Sequence, residues 1–263
     1  MQRYALVIGI SEYQDSNLGN LSRTVEDAKA VGQLLEEFGG YKVTKLTGEV
    51  KRKELVEAIR QLLEKQAKNQ DVVIYYTGHG VTVVDPDDGT EEGYLAPSDC
   101  RLEVEEGQVI EQAKGYEFTK FNQLIQNSTL SSLVVWLDCC YSGGALERNL
   151  LNERFNSFLG KTDYHLITAS RSFERAWVKK QAEHSVFTTA LLQGLGRDQA
   201  TEAGEVTAGR LFDFIAQQLK PTRQEPIHLG AGRGDYAVAV SSQWGRARAG
   251  NSGGESLSGV VGL

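Results

Sequence analysis

Two short apolar runs, each ending in a reactive side chain, decide the fold. The first is Val72-Val73-Ile74-Tyr75-Tyr76-Thr77-Gly78-His79-Gly80, and the second is Leu133-Val134-Val135-Trp136-Leu137-Asp138-Cys139-Cys140-Tyr141-Ser142-Gly143. A β-rich run that stops at glycine is typical of a buried parallel strand, which delivers side chains to the carboxyl edge of a sheet. Open α/β sheets place their sites at this edge. The two runs therefore predict a base and a thiol nucleophile side by side.

Strand-like and helix-like segments alternate along the rest of the chain. Residues 4–10 form a β-branched run, and apolar residues then recur at helical spacing up to Gly39-Gly40. Further strands are predicted at 41–46, 72–76, 133–137, 164–170 and 236–240, and further helices at 55–63, 118–125, 186–195 and 211–219. Residues 81–96 predict a small hairpin or flap. This alternation predicts an α/β fold with a mostly parallel sheet of about six strands, flanked by helices on both faces and closed by residues 236–240.

The composition fits one globular domain. The chain has 263 residues, 40% of them hydrophobic, and no Pro-rich or Ser-rich linker interrupts the first 240. We expect a domain over 1–240 and a flexible tail, rich in Gly, Ser and Arg, over 241–263. A net charge of −7 with scattered basic residues argues against a nucleic-acid partner. No apolar run approaches the ~18 residues of a membrane helix, and the amino terminus has no leader pattern, so we expect a cytoplasmic protein that does not bind membranes.

The cysteines do not form a disulfide framework. There are three, Cys100, Cys139 and Cys140, an odd number with two adjacent, which predicts a reducing compartment. A cysteine at a strand end is also compatible with a small buried apolar residue. The adjacent pair Cys139-Cys140 could equally serve as a redox pair. These alternatives weaken once the histidine run and the cysteine run are considered together.

The four histidines are scattered without zinc-site spacing, and the sequence predicts no metal site. His165 lies inside a predicted strand, whereas His184 and His228 lie in polar surroundings. Only His79 stands between two glycines at a strand end, so it is the predicted base. Backbone N–H groups of Gly80 and Cys140 are predicted to stabilise the oxyanion of an acyl-transfer intermediate.

The chain resembles the caspase-like cysteine peptidases, and within them the metacaspases and bacterial orthocaspases. The resemblance covers roughly residues 1 to 240 and rests on six ordered motifs, which are Tyr4 to Ile10, Leu21 to Ala28, Tyr76 to Gly80, Leu95 to Asp99, Asp138 to Gly143 and Phe187 to Leu192. It implies a caspase-like fold and a cysteine endopeptidase. By this likeness Cys140 is the nucleophile, Cys139 is a filler position, and His79 is the general acid and base.

The resemblance also implies a pocket for a basic substrate residue. True caspases carry Gln-Ala-Cys at the nucleophile and cut after Asp, whereas this chain has Asp138 two residues before Cys140. In the metacaspase-like pattern this aspartate and Asp27 form the floor and wall of the pocket, with Thr77 and Thr24 beside them. Two carboxylates can bind a guanidinium and repel an aspartate. The expected partners are therefore protein or peptide substrates with Arg or Lys before the cut.

One position departs from that pattern, and the calcium ligands are matched only in part. Tyr141 stands where many metacaspases have His, which implies altered substrate contacts. The dyad chemistry requires no cofactor, but calcium stays open, because eukaryotic metacaspases use acidic ligands that include the position of Glu147. The other ligands have no match here. The acidic stretch 85–92 lacks an EF-hand pattern and is read as a solvated loop.

The segment 145–162 is predicted to be a surface loop and the site of autocleavage. Its basic residues Arg148, Arg154 and Lys161 fit the expected specificity. Cleavage would leave a large part, about 1–160, and a small part, about 163–240, in association. The resemblance places Ser170, Glu174 and Trp177 near the neighbouring substrate sites.

Two alternatives stay open from the sequence. One is a non-catalytic caspase-like interaction module, against which the intact His79 and Cys140 argue. The other is a gingipain-like or legumain-like peptidase of the same wider clan. The metacaspase-like branch generally works as a monomer, and the resemblance implies the same here.

Overall fold

The computed structural model describes residues 2–139, 163–168, 183–222, 226–231 and 237–240. In chain order its elements are β1 (Arg3–Ile10), α1 (Thr24–Gly39), β2 (Tyr41–Gly48), α2 (Arg52–Arg60) continued by a π-helical turn (Gln61–Gln66), β3 (Asp71–Thr77), β4 (Gly80–Val84), β5 (Glu91–Leu95), β6 (Arg101–Glu105), β7 (Gln108–Ala113), β8 (Tyr116–Glu117), α3 (Phe118–Gln126), β9 (Ser132–Asp138), β10 (Asp163–Thr168), α4 (Val186–Gly194), a short 3-10 turn (Arg197–Gln199), β11 (Glu205–Thr207), α5 (Ala208–Leu219), a second 3-10 turn (Lys220–Thr222), β12 (Ile227–Ala231) and β13 (Ala237–Val240).

The central sheet has six strands in the order β12-β10-β9-β3-β1-β2. All its pairings are parallel except that of β10 with β12. Both faces are covered: α2 and α3 pack with one core cluster, and α1, α4 and α5 pack with the other. The predicted α/β fold, with a mostly parallel sheet between two helical layers, is confirmed.

Burial on both faces explains why the central strands are apolar throughout. In β1, Leu6 and Ile8 pack into the α2 and α3 layer, whereas Ala5 and Val7 face the α1 layer. The same alternation places Val73 and Tyr75 of β3 against α1, α4 and α5. A strand covered on both sides needs apolar residues at every position, and this requirement produced the runs from which the strands were predicted.

The strand order has a switch point at the carboxyl edge of the sheet. β1 and β3 are neighbours, but the chain leaves β1 towards β2 at one side and leaves β3 towards β9 at the other. Open α/β sheets bind ligands beside such a point. Here the loop after β1 spans residues 11–23, and His79 follows β3.

The sequence misplaced one strand and missed others. Residues 236–240 do not close the central sheet, because β13 pairs with β11 in a separate two-stranded sheet. The sixth strand is β12, whose residues 227–229 are only partly buried. As an edge strand it needs no continuous apolar run, and it therefore gave a weak signal. The hairpin of β6 and β7 was also missed, since most of its side chains are exposed.

The division near residue 160 and the tail at 241–263 involve residues outside the described ranges, so both stay predictions. No helix in the described part of the chain has the length and apolar character that a membrane span requires.

Close packing of α1 on β1 depends on Gly9. A Cβ atom at this position would lie 2.2 Å from the backbone oxygen of Thr24 and 2.8 Å from the Ala28 side chain. Because the first of these is a backbone atom at the start of α1, it cannot move without shifting the helix. Only glycine lets the helix approach the strand this closely.

We predict that Gly9→Ala lowers the free energy of unfolding by about 1–3 kcal/mol or more, the usual range for overpacking a core. Urea denaturation of both proteins measures the difference. Gly19→Ala is the matched control, because a Cβ there meets no atom within 4 Å. Equal destabilisation by the two substitutions would contradict the close approach.

Candidate active site

His79 is held by its backbone and by its ring. Its N–H donates to the Tyr13 hydroxyl at 2.9 Å, and its carbonyl accepts from the Tyr76 hydroxyl at 2.9 Å and from the Ala96 N–H at 3.0 Å. The Tyr13 ring meets the imidazole edge-on, with 4.6 Å between the ring centroids. His79 thus follows strand β3, and its position is set by Tyr13, Tyr76 and Ala96.

The imidazole is oriented by the loop after β1. Nε2 of His79 lies 2.7 Å from the carbonyl oxygen of Gly19. A carbonyl can only accept, so Nε2 carries the hydrogen and Nδ1 is the nitrogen left to take a proton. Burial lowers the pKa of His79, although the Gly19 contact acts in the opposite direction. A neutral ring at ordinary pH is the form that a general base needs.

The end of β9 lies beside the end of β3. Thr77 and Asp138 are register partners, and the Gly78 N–H lies 3.5 Å from the carbonyl oxygen of Asp138. Cys139 is buried in the core layer of α2 and α3. The predicted nucleophile, Cys140, lies outside the described residues. The ends of β3 and β9 therefore lie side by side, as predicted, as far as Cys139.

The Asp138 carboxylate is bound by residues at the start of α4. Its Oδ2 accepts from the Ser185 hydroxyl at 2.5 Å and from the Thr188 hydroxyl at 2.9 Å. Burial raises the pKa of Asp138 to about 6, and the charge of Asp27 adds to this, while hydrogen bonds from Ser185, Thr188 and Thr77 oppose it. The positive end of a helix also favours a carboxylate at this position. Burial therefore disfavours the charged form of Asp138, and a cationic partner would stabilise it.

Asp27, in the first turn of α1, reaches the same corner of the fold. Its Oδ1 lies 2.7 Å from Nδ1 of His184, and its Oδ2 accepts from the Ser185 N–H at 3.3 Å. Burial raises the pKa of Asp27, and the contacts with His184 and Ser185 oppose the effect. Ser185 thus contacts both carboxylates, one through its backbone and one through its side chain.

The other predicted pocket residues are placed differently. Thr77 is buried and hydrogen-bonds Asp138. Thr24 donates its hydroxyl hydrogen to the main-chain carbonyls of Ile10 and Leu21, at 3.0 and 3.3 Å. Gly80 begins β4 and pairs with Leu95 of β5. Whether Thr24 contacts substrate and whether Gly80 contributes to an oxyanion hole stay predictions.

Several remaining predictions fall on residues outside the described ranges, namely Tyr141, Glu147, Arg148, Arg154, Lys161, Ser170, Glu174 and Trp177. Within those ranges, no three His, Cys, Asp or Glu side chains come together as ligands for a metal ion. Calcium dependence stays a prediction.

Sequence reasoning missed the residues that hold the predicted ones. His184, for which the sequence indicated only polar surroundings, contacts Asp27. The ring of His228 stacks on His165, with 5.3 Å between the ring centroids. Gly19 and Tyr13 left no signal, since they contact His79 through a carbonyl and a hydroxyl. Ser185 is the N-cap of α4 and accepts from the Thr188 N–H at 2.9 Å, a pattern that a search for helix caps could have found.

Comparison with known proteins identifies the family of the chain. A family model described as "Caspase domain", from a peptidase family, matches residues 2–236 of the chain. The chain belongs to the caspase domain family. A search of curated proteins found no significant match. Among solved structures, the crystal structure of protein GSU0716 from Geobacter sulfurreducens is similar at 16% identity and a TM-score of 0.63, over 91% of this chain and 97% of that one.

The family assignment sets the chemical class. Members of this caspase domain family are cysteine peptidases with protein substrates, although some lack catalytic activity. The likeness to GSU0716 adds support for the fold alone, because its identity is low.

We predict that Asp138→Asn stabilises the fold at pH 8. The folded-state pKa of about 6 exceeds the ordinary value of 3.8, so the contribution of this group to stability is complete below pH ~4 and is lost as the pH rises through ~6. One pH unit of pKa difference corresponds to about 1.4 kcal/mol, and for this partly buried group we expect a gain of about 1–2 kcal/mol at pH 8. Urea denaturation from pH 4 to pH 8 measures it.

The exposed Asp198→Asn is the control for the loss of one charge, and it should change the free energy of unfolding little at either pH. A difference between Asp138→Asn and wild type that does not grow with pH would contradict the raised pKa of Asp138.

Proposed function

We propose that this caspase-domain protein is a cysteine endopeptidase of the metacaspase or orthocaspase type, which cleaves after Arg or Lys with a Cys140–His79 dyad. The observation that carries the specificity is the pair of carboxylates, Asp27 and Asp138, joined through Ser185. The orientation of His79 by Gly19 supports the chemistry.

In the proposed reaction, Nδ1 of His79 takes the proton of the Cys140 thiol, and the thiolate sulfur attacks the carbonyl carbon of the substrate. Amide groups of Gly80 and Cys140 stabilise the oxyanion. The C–N bond then breaks, and the leaving amine takes the proton from His79, which leaves a thioester on Cys140. Water, deprotonated by His79, hydrolyses the thioester and returns the thiol.

Charge explains the proposed choice of substrate. Asp138 is a partly buried carboxylate whose hydrogen-bond partners, Ser185 and Thr188, are uncharged, so an arriving guanidinium or ammonium would relieve the cost of its burial. An aspartate side chain would add a third negative charge to the same corner. This pocket is therefore opposite in charge to the one a true caspase needs.

The dyad chemistry requires no cofactor, so an effect of calcium on activity would come from the conformation of the chain. We propose protein or peptide substrates with a basic residue before the cut, no nucleic-acid partner, and a monomeric enzyme.

Peptide reporters that end in Arg, Lys, Asp or Asn test the proposal. We expect cleavage after Arg and Lys, none after Asp or Asn, and an increase in KM as the pH falls through ~6, where Asp138 takes up a proton. Asp138→Asn should lower kcat/KM for the Arg reporter about 100-fold or more, because loss of one member of a buried charge pair costs about 2–5 kcal/mol.

Cys140→Ala should abolish cleavage, whereas Cys139→Ala is the matched thiol control and should retain it. If neither the wild type nor either variant cleaves any reporter, the result would support the non-catalytic module. Cleavage after Asn would favour a legumain-like peptidase. Assays with calcium and with a chelator decide the cofactor question.

Autocleavage in the segment 145–162 is a separate prediction. We expect mass spectrometry of the purified wild type to find two fragments that co-purify, with the cut after Arg148, Arg154 or Lys161, and Cys140→Ala to stay intact. Replacing the cleaved residue with Gln should block the cut. An intact wild-type chain under the conditions of peptide cleavage would contradict the prediction.

A further inference from the structure

His184 is one residue before Ser185, the residue that joins the two carboxylates. Its Nδ1 lies 2.7 Å from Oδ1 of Asp27. The Asp27 side chain is 1% exposed and that of His184 is 19% exposed, so the histidine lies on the solvent side of the carboxylate. Neither the dyad nor the pocket chemistry described above uses this contact.

A carboxylate as deeply buried as Asp27 needs partners to stay ionised. Ser185 provides one backbone N–H, at the long distance of 3.3 Å. The shorter bond comes from His184, and because a carboxylate only accepts, Nδ1 of the imidazole is the donor. Without that bond, Oδ1 would lose the shortest contact described for the Asp27 side chain.

The other charged and titratable groups around Asp27 do not replace His184. Arg23, in the turn before α1, lowers the pKa of Asp27 less than His184 does. From β9, the charges of Asp138 and Asp27 each disfavour the other. From β3, the Tyr75 hydroxyl is bound to the Thr188 hydroxyl at 2.6 Å. Among the described residues, His184 is therefore the main support of the Asp27 charge.

We propose that His184 is a positioning residue of the pocket, which holds the Asp27 carboxylate in place for a basic substrate side chain by donating a hydrogen bond from Nδ1. The proposal rests on the proposed function for the identity of the substrate. It predicts that His184 acts on substrate affinity, because its described side-chain contact is with Asp27 of the proposed pocket.

The expected effect is on KM and on its pH dependence. His184→Ala should raise KM for an Arg reporter about tenfold, which is the scale of one hydrogen bond to a charged group, and should leave kcat nearly unchanged. The acid limb of kcat/KM should move to higher pH, because Asp27 would then take up a proton more readily. Raising the pH should restore part of the lost affinity.

His184→Asn is the rescue variant, since its amide nitrogen can donate from nearly the position of Nδ1 without a titratable ring. It should return KM and the acid limb close to those of the wild type. His228→Ala is the matched control for loss of a partly buried histidine, because His228 lies on the edge strand β12 and contacts His165 and Phe212.

A second readout needs no activity. All three proteins of this test carry Cys140→Ala, and carbon-13 NMR follows the Asp27 carboxyl group as the pH changes. Asp27 should titrate at a higher pH in the protein with His184→Ala than in the protein with the native His184 or the one with His184→Asn. An unchanged Asp27 titration, an unchanged or lower KM in His184→Ala, or failure of Asn to rescue would overturn the proposal. A wild type that cleaves after neither Arg nor Lys contradicts the proposed function instead, and the NMR titration then decides alone whether His184 positions Asp27.

Discussion

Two carboxylates near one corner of the sheet, joined through a single serine, are the constraint on which the site depends. Asp138 comes from β9, Asp27 from α1, and Ser185 from the start of α4. Carboxylates that repel each other below the surface lower stability unless neighbouring groups or a ligand compensate. The fold holds α1 and α4 on the same face of the sheet, and this brings the helix cap, the hydroxyl groups and an imidazole to them. Stability given up in this way is typical of a functional site.

The same architecture places the base close by without making it part of the carboxylate cluster. His79 follows β3, the neighbour of β9, and its ring is held by the carbonyl of Gly19 in the loop after β1. Both groups therefore lie at the carboxyl edge of the sheet, where open α/β folds bind ligands. Burial lowers the pKa of His79, whereas hydrogen bonds support the charge of Asp27 and Asp138. In the proposed enzyme, His79 would serve the chemistry and the two carboxylates would recognise the substrate.

How much the sequence could predict follows from what each residue contacts. The central strands were predictable because burial on both faces imposes continuous apolar runs, and His79 and Asp138 were predictable because they end two of those runs. The edge strand β12 was not predictable, because a partly buried strand needs no continuous apolar run. The place of β13 was not predictable either, because strand pairing depends on segments that are distant in the sequence. His184 was not predictable either, because its contact with Asp27 joins residues 157 positions apart and leaves no local pattern.

If the proposed pocket recognises positive charge, it should distinguish a cationic ligand from a neutral ligand of the same shape. A peptide ending in arginine and the same peptide ending in citrulline have nearly the same shape, but only the first carries a cation. Calorimetric titration of both into the Cys140→Ala protein at pH 7.5 separates charge from fit. We expect the arginine peptide to bind at least about tenfold more tightly, equivalent to about 1.4 kcal/mol, and the difference to shrink in Asp138→Asn. Equal affinity for the two peptides would contradict this expectation.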